Sequence, residues 1–244
     1  MQIQSTLRPN YTKPANHTIV GAPKAEEAAE PEFLNNKTIT GLGAGAAASF
    51  VGAAYPSTWA HEMGHAKMIE LMYDGAKPEV EVWPFKGGVT RWSPGPLSEV
   101  GEKFGANGAR AMVSAAGTAV DLGIATASFG VGFKLRKKHP VIGTAMMAYG
   151  GLTVLNSIGY AATAVGGDLA KLAREGNDFA SIAVRTGVPP LASIAIMAAI
   201  LPLEYAALKF LEKNGMSVST PPLHKGCSCS CRSKVFGSSL SRLS

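Results

Sequence analysis

His61-Glu-Met-Gly-His65 sets two imidazoles four residues apart, with a carboxylate directly after the first. On a helix, residues i and i+4 share a face, so both rings can grip one metal ion. Glu62 then stands one residue round, beside the ion's open position, where it can take a proton from a bound water. The chain has five His, and an H-E-x-x-H run arises by chance only about 0.005 times in such a length. The plain alternative is an accidental helical His pair near a membrane surface. Polar groups at the end of a lipid-facing stretch are costly, which argues against accident.

The following residues narrow the class of site. A metzincin-type continuation needs Gly at 68 and His at 71, where the chain has Met68 and Leu71. His139 and His224 fall, by the charge argument below, on the other side of the membrane. The third ligand is therefore expected to be a carboxylate, from among Glu79, Glu81, Glu99, Glu102, Asp168, Glu175 and Asp178.

The elements that must position these groups are set by composition. The 244 residues are 46% hydrophobic and only 16% charged, against about 25% charged in a soluble domain. Residues 38–60, 140–167 and 186–203 carry no charge, and 111–133 carry only Asp121. A membrane-crossing helix takes roughly 20 apolar residues. Three stretches have that length, and 186–203 reaches it if Tyr205–Leu208 join. All are rich in Gly, Ala and Ser, which let helices approach closely in lipid. A soluble bundle would show polar stripes along helices this long. The net charge of +6 does not signal nucleic-acid binding in so apolar a chain.

The expected fold is an all-α integral membrane protein with about four transmembrane helices. A short β-hairpin follows the first, at Glu79–Trp92 around Lys86-Gly-Gly88. Residues 1–37, with Pro9, Pro14, Pro23 and Pro31, read as a disordered tail, 38–213 as the membrane domain and 214–244 as a flexible Cys/Ser/Lys-rich tail. With no signal-peptide core in the first residues, the first membrane helix is expected to direct its own insertion. Lys134-Leu-Arg-Lys-Lys-His139 and the basic C-terminal residues place that loop and both termini in the cytoplasm. Loops 61–109 and 168–185 then share the opposite face, so the His pair, Asp168 and Asp178 fall together.

Several weaker features accompany these. Asp121 is an intramembrane acid, expected to pair with Arg110, to line a water path or to pack against a Ser or Thr. Pro56 is expected to kink the first helix one turn before the motif. Asp168 can cap a helix beginning at Leu169. Asn16 and Asn36 open glycosylation triplets. Cys227, Cys229 and Cys231 read as low-complexity tail, with palmitoylation or soft-metal binding as alternatives.

Ala60-His-Glu-Met-Gly-His-Ala66 at a membrane helix resembles the site-2 protease family of intramembrane zinc metalloproteases, in its divergent bacterial branch, over most of residues 45–200. The 79–92 segment with Gly87-Gly88 is similar to an extended family segment that can pair with an unwound substrate strand. Ala111-Met-Val-Ser-Ala-Ala-Gly117 resembles the family's small-residue element, with Thr118 in place of its Pro. Asn156 resembles the Asn of a later helix, with Gly159 where the family has Pro. Asn177-Asp-Phe-Ala-Ser-Ile-Ala resembles the Asp-bearing element of divergent members. The resemblance implies zinc held by His61, His65 and Asp178, with Asp168 the alternative third ligand. It implies Glu62 as the catalytic base of an endopeptidase acting on membrane-spanning substrates in the bilayer. A catalytically inactive membrane adaptor is the alternative that the altered elements favour, and a metal carrier with the same ligands is a third.

Overall fold

A computed structural model describes residues 35–215, which form seven helices and one two-stranded antiparallel hairpin. Nearly all of both expected tails, with Asn16, His224 and the three Cys, lies outside the described residues.

Helix α1 (Asn36–Ala54) is capped by Asn35, whose side chain accepts from the Thr38 amide at 2.9 Å. It ends where Tyr55 leaves helical geometry (φ −153°, ψ −58°), and α2 (Pro56–Met72) begins with proline at its first position. The expectation of one first helix across 38–60, merely kinked at Pro56, is corrected here. A proline inside a helix removes a hydrogen bond and collides with the preceding turn, whereas the first position needs no amide donor. The chain therefore starts a new helix, and the His pair sits within α2 rather than at the end of a first crossing.

Strands β1 (Glu79–Trp83) and β2 (Gly87–Arg91) pair from Glu79↔Arg91 to Trp83↔Gly87. The turn falls at Pro84–Lys86, one step before the expected glycines, which instead belong to β2. The hairpin's tip reaches back along the bundle, where Phe85 meets Phe50 of α1 with ring centroids 5.2 Å apart.

Helix α3 (Glu99–Leu135) is capped by Ser98 and interrupted at Gly105 (φ 68°). It is followed by α4 (Pro140–Ala162), the short helices α5 (Leu169–Arg174) and α6 (Asp178–Thr186), and α7 (Pro190–Lys213). α3 is central, packing against α2, α4, α6 and α7. Its seam with α4 is made by glycines. A Cβ on Gly132 would lie 2.6 Å from the Gly143 carbonyl oxygen, and one on Gly150 2.5 Å from that of Ala125. The pairings 132 with 143 and 125 with 150 make α3 and α4 antiparallel. Gly41 and Gly45 meet Thr144 and Ala148 in the same way, so α1 runs parallel to α4.

Helices α3, α4 and α7 are long and apolar enough to cross a membrane. The stretches expected to span within 111–133, 140–167 and 186–208 are thus helical, and α1 falls outside that set. Ile142 and Leu155 on α4 and Leu191, Ile196, Leu203 and Phe210 on α7 are exposed, an apolar surface that suits lipid rather than water. At one end, Glu212 of α7 pairs with Arg136 at 2.9 Å and Lys137 at 2.5 Å, joining the last turn of α7 to the α3–α4 turn.

The glycine seam makes a matched prediction. Gly150→Leu should overpack the α3–α4 contact at a cost of about 1–3 kcal/mol. Gly151→Leu enters open space, with nothing within 4 Å of its Cβ, and should be close to neutral. Melting temperatures of the two variants in one detergent check the difference.

Candidate metal centre

α2 and α3 run antiparallel and nearly touch. A Cβ on Gly64 would lie 2.7 Å from the Ala116 carbonyl oxygen, and one on Gly117 would lie 2.6 Å from His61 Nε2 and collide with His65 Nε2. The small-residue element 111–117 thus has a direct steric purpose: it leaves the imidazoles room against α3.

Each ring is then held from behind. His65 Nδ1 lies 2.7 Å from the Val113 carbonyl oxygen, and His61 Nδ1 2.7 Å from Asp121 Oδ2. A carbonyl only accepts hydrogen bonds and a carboxylate oxygen accepts here, so both Nδ1 atoms carry a proton, and in the neutral rings both Nε2 atoms present lone pairs. Those lone pairs face each other 3.0 Å apart. Asp178 Oδ2 completes a triangle, 3.3 Å from His65 Nε2 and 3.6 Å from His61 Nε2. Atoms so placed are held together by a proton or a metal ion standing among them.

The residues fit a metal ion. Tetrahedral zinc with bonds of about 2.0–2.1 Å separates its ligands by roughly 3.3 Å, the middle of the observed 3.0–3.6 Å range. Among the described residues, His61, His65 and Asp178 form the group of His, Cys, Asp and Glu donors able to hold an ion. His65 is buried, and the side chains of His61 and Asp178 are 17% and 14% exposed.

Asp178 opens α6, whose N-cap Asn177 accepts from the Ala180 amide. The junction is fastened to α4 twice. Asn177 Nδ2 donates to Thr163 Oγ1 at 2.9 Å, and the Asp178 amide donates to the Tyr160 hydroxyl at 3.1 Å. Asp168, the alternative third ligand, stands outside the group. Its exposed side chain caps α5 by accepting from the Lys171 amide at 3.0 Å, and a carboxylate so used at a helix start is turned toward its own backbone. Glu81, Glu99 and Glu175 pair instead with Arg91, Lys103 and Lys171, and Glu79 and Glu102 also lie outside the group.

Glu62 is buried and belongs to the same cavity without joining the ligand triangle. Its Oε2 accepts from the Thr90 hydroxyl at 2.7 Å. Gly88 leaves space for it, since a Cβ there would lie 2.6 Å from Glu62 Cγ. The cavity, about 860 Å³, is walled by α1, α2, α3, α4, α6 and β2 and includes Asn156, Ser157 and Tyr160.

Asp121 meets His61 rather than Arg110. Residues eleven apart on one helix are separated by about 16 Å along its axis, beyond the reach of an Asp–Arg pair. Thr90 and Tyr160 were absent from the sequence reading. For Tyr160 the signal was its place one turn after Asn156, on the same face of α4.

No protein-family model matches the chain, and no curated protein or solved structure matches it either.

Metal content reads the site directly. His61→Ala and Asp178→Ala should each abolish stoichiometric binding, while Asp168→Ala should retain it. Elemental analysis of detergent-purified protein makes the comparison. Gly117→Val, which touches no ligand bond, should also lose the metal, because its methyl groups occupy the space of both Nε2 atoms.

Proposed function

We propose that this chain is a zinc-dependent intramembrane endopeptidase, of the site-2 type its motifs resemble, acting on membrane-spanning protein substrates. The observation that carries this reading is the convergence of two imidazole lone pairs and one carboxylate oxygen beside a buried Glu, against a helix long and apolar enough to cross a membrane. In this reading α1 is the fourth crossing. The charge pattern puts the termini and the 134–139 loop in the cytoplasm.

His61, His65 and Asp178 would hold the ion. When bound, zinc polarises the scissile carbonyl and brings the pKa of its water near 7. Glu62 accepts the proton of the attacking water and delivers it to the leaving amine. Thr90 anchors one carboxylate oxygen of Glu62, which keeps the other available and fixes the group's rotation. Asn156, on the cavity wall, is a donor available to a developing oxyanion, while the Tyr160 hydroxyl is engaged with Gly176 and Asp178. β2 lines the cavity and is an edge strand of a two-stranded sheet, so an extended peptide would pair with it there through main-chain hydrogen bonds. A substrate helix must unwind locally to present such a strand.

Glu62→Gln separates this reading from the others. Cleavage of a reconstituted transmembrane substrate should fall by about 10²–10⁴-fold, with metal content unchanged. A wild type that holds zinc yet cleaves nothing in a proteome-wide digest of host membranes would turn the reading toward a carrier. One that holds no zinc would turn it toward the inactive adaptor.

A further inference from the structure

α3 carries one carboxylate inside its uncharged stretch, Asp121. An acid at that depth needs a partner or a water path, and its neighbours on α3 are apolar or small. Its Oδ2 lies 2.7 Å from His61 Nδ1, and its side chain is 14% exposed. The contact is on the far side of the imidazole from Nε2, so Asp121 cannot ligate an ion held by Nε2 unless His61 turns over. Val113, Gly117 and Asp121 follow one another at four-residue steps and form a single stripe on α3 that faces α2. The stripe holds His65 through a carbonyl at one end and His61 through a carboxylate at the other.

The two holds are chemically unequal. The Val113 carbonyl fixes the tautomer of His65 but brings no charge. Asp121 fixes the tautomer of His61 and adds a full negative charge. Asp121 and Asp178 thus set a carboxylate on either side of His61, with Glu62 a third in the same cavity. In a medium of low dielectric an unbalanced charge is costly, so the second carboxylate matters more here than it would at a wet surface.

We infer that Asp121 is the positioning residue of the metal centre: it locks His61 with Nδ1 protonated and Nε2 free for the ion, and it sets a carboxylate directly behind that ligand. This rests on the metal reading of His61, His65 and Asp178. A hydrogen-bonded carboxylate behind a ligating imidazole raises the ligand's basicity, and loss of such a partner lowers metal affinity by roughly 10–100-fold.

The test uses the full chain in detergent, with zinc affinity measured by chelator competition for wild type, Asp121→Asn, Asp121→Ala and His61→Ala. Melting temperatures of the metal-free forms are measured in parallel. Asp121→Asn keeps the shape and can still accept from Nδ1, but it lacks the charge. The expected result is a zinc affinity roughly 10–100-fold weaker for Asp121→Asn and at least as weak for Asp121→Ala, without loss of metal-free stability. The visible absorption of the Co²⁺-loaded protein should also shift in Asp121→Ala, reporting a changed ligand field. Unchanged affinity and spectrum would overturn the inference. So would a lower metal-free melting temperature with zinc affinity intact, which is the signature of a packing role. Failure of wild type itself to bind zinc would instead remove the metal reading beneath it, so the two failures are distinguishable.

Discussion

The close approach of α2 and α3 at Gly64 and Gly117 is the constraint from which the rest of the site follows. In lipid, helices gain nothing from withdrawing apolar surface from water, and association rests on packing and on polar contacts between helices. Backbones brought together at two glycines gain the densest packing available, and here the crossing also leaves a slot the width of an imidazole. Both rings enter that slot with Nε2 over Gly117. Val113 and Asp121, one four-residue step to either side, lie where each Nδ1 needs an acceptor. A larger residue at 117 would displace the rings and separate each from its acceptor on α3. Packing and metal chemistry are thus decided by one missing side chain.

Asp178, the candidate third ligand, arrives by a different route. Asp178 is not on a long helix but at the start of α6, whose Phe179, Ala180 and Ala183 are buried. α6 packs against α3, and Phe179 joins a core with Ala125, Val154, Ala161 and Met197 of the surrounding helices. A side chain on a loop-to-helix junction would ordinarily be too free to close a metal site. Here the hydrophobic face of α6 fixes its axis, and Tyr160 and Asn177 fix its start relative to α4. Two rigid His on α2 and one well-fastened Asp on α6 make a site assembled across elements distant in sequence.

The sequence made some of this readable. H-E-x-x-H put His61, Glu62 and His65 in one place because a four-residue helical step is a local property. Uncharged stretches named three of the long helices because bilayer thickness dictates their length. The break at Tyr55 was harder. Pro56 was visible, but a proline in a long apolar run is compatible with either a kink or a fresh start. The choice depends on how α1 packs on α4 and α2 on α3, which no local pattern encodes. Asp168 and Asp178 were similar in kind, since each precedes a short helix. What separates them is which helix start points inward, and the buried Phe179-Ala180 directly after Asp178 is the one local sign of that. Asp121 was visible as an anomaly, but its partner lies 60 residues away on another helix and was not.

The hairpin brings the base and the open strand edge together. Gly88 lies against Glu62 Cγ, and Thr90, two residues on and so on the same face of β2, donates to the Glu62 carboxylate. The rotamer of Glu62 is therefore held by β2, the strand whose other edge borders the cavity. An extended peptide paired on that edge would stiffen β2 and thereby narrow the positions open to Thr90. In the proposed reading, occupancy of the strand edge and orientation of Glu62 would be coupled through the Thr90 hydroxyl. Phe85 packed on Phe50 fastens the hairpin's tip to α1. Without a paired peptide, β2 is held by β1 along its length, by Phe85 at the hairpin's tip and by Thr90. In the proposed reading, selection of an unwound segment over an intact helix would arise from how β2 holds Glu62, in addition to the shape of the cavity.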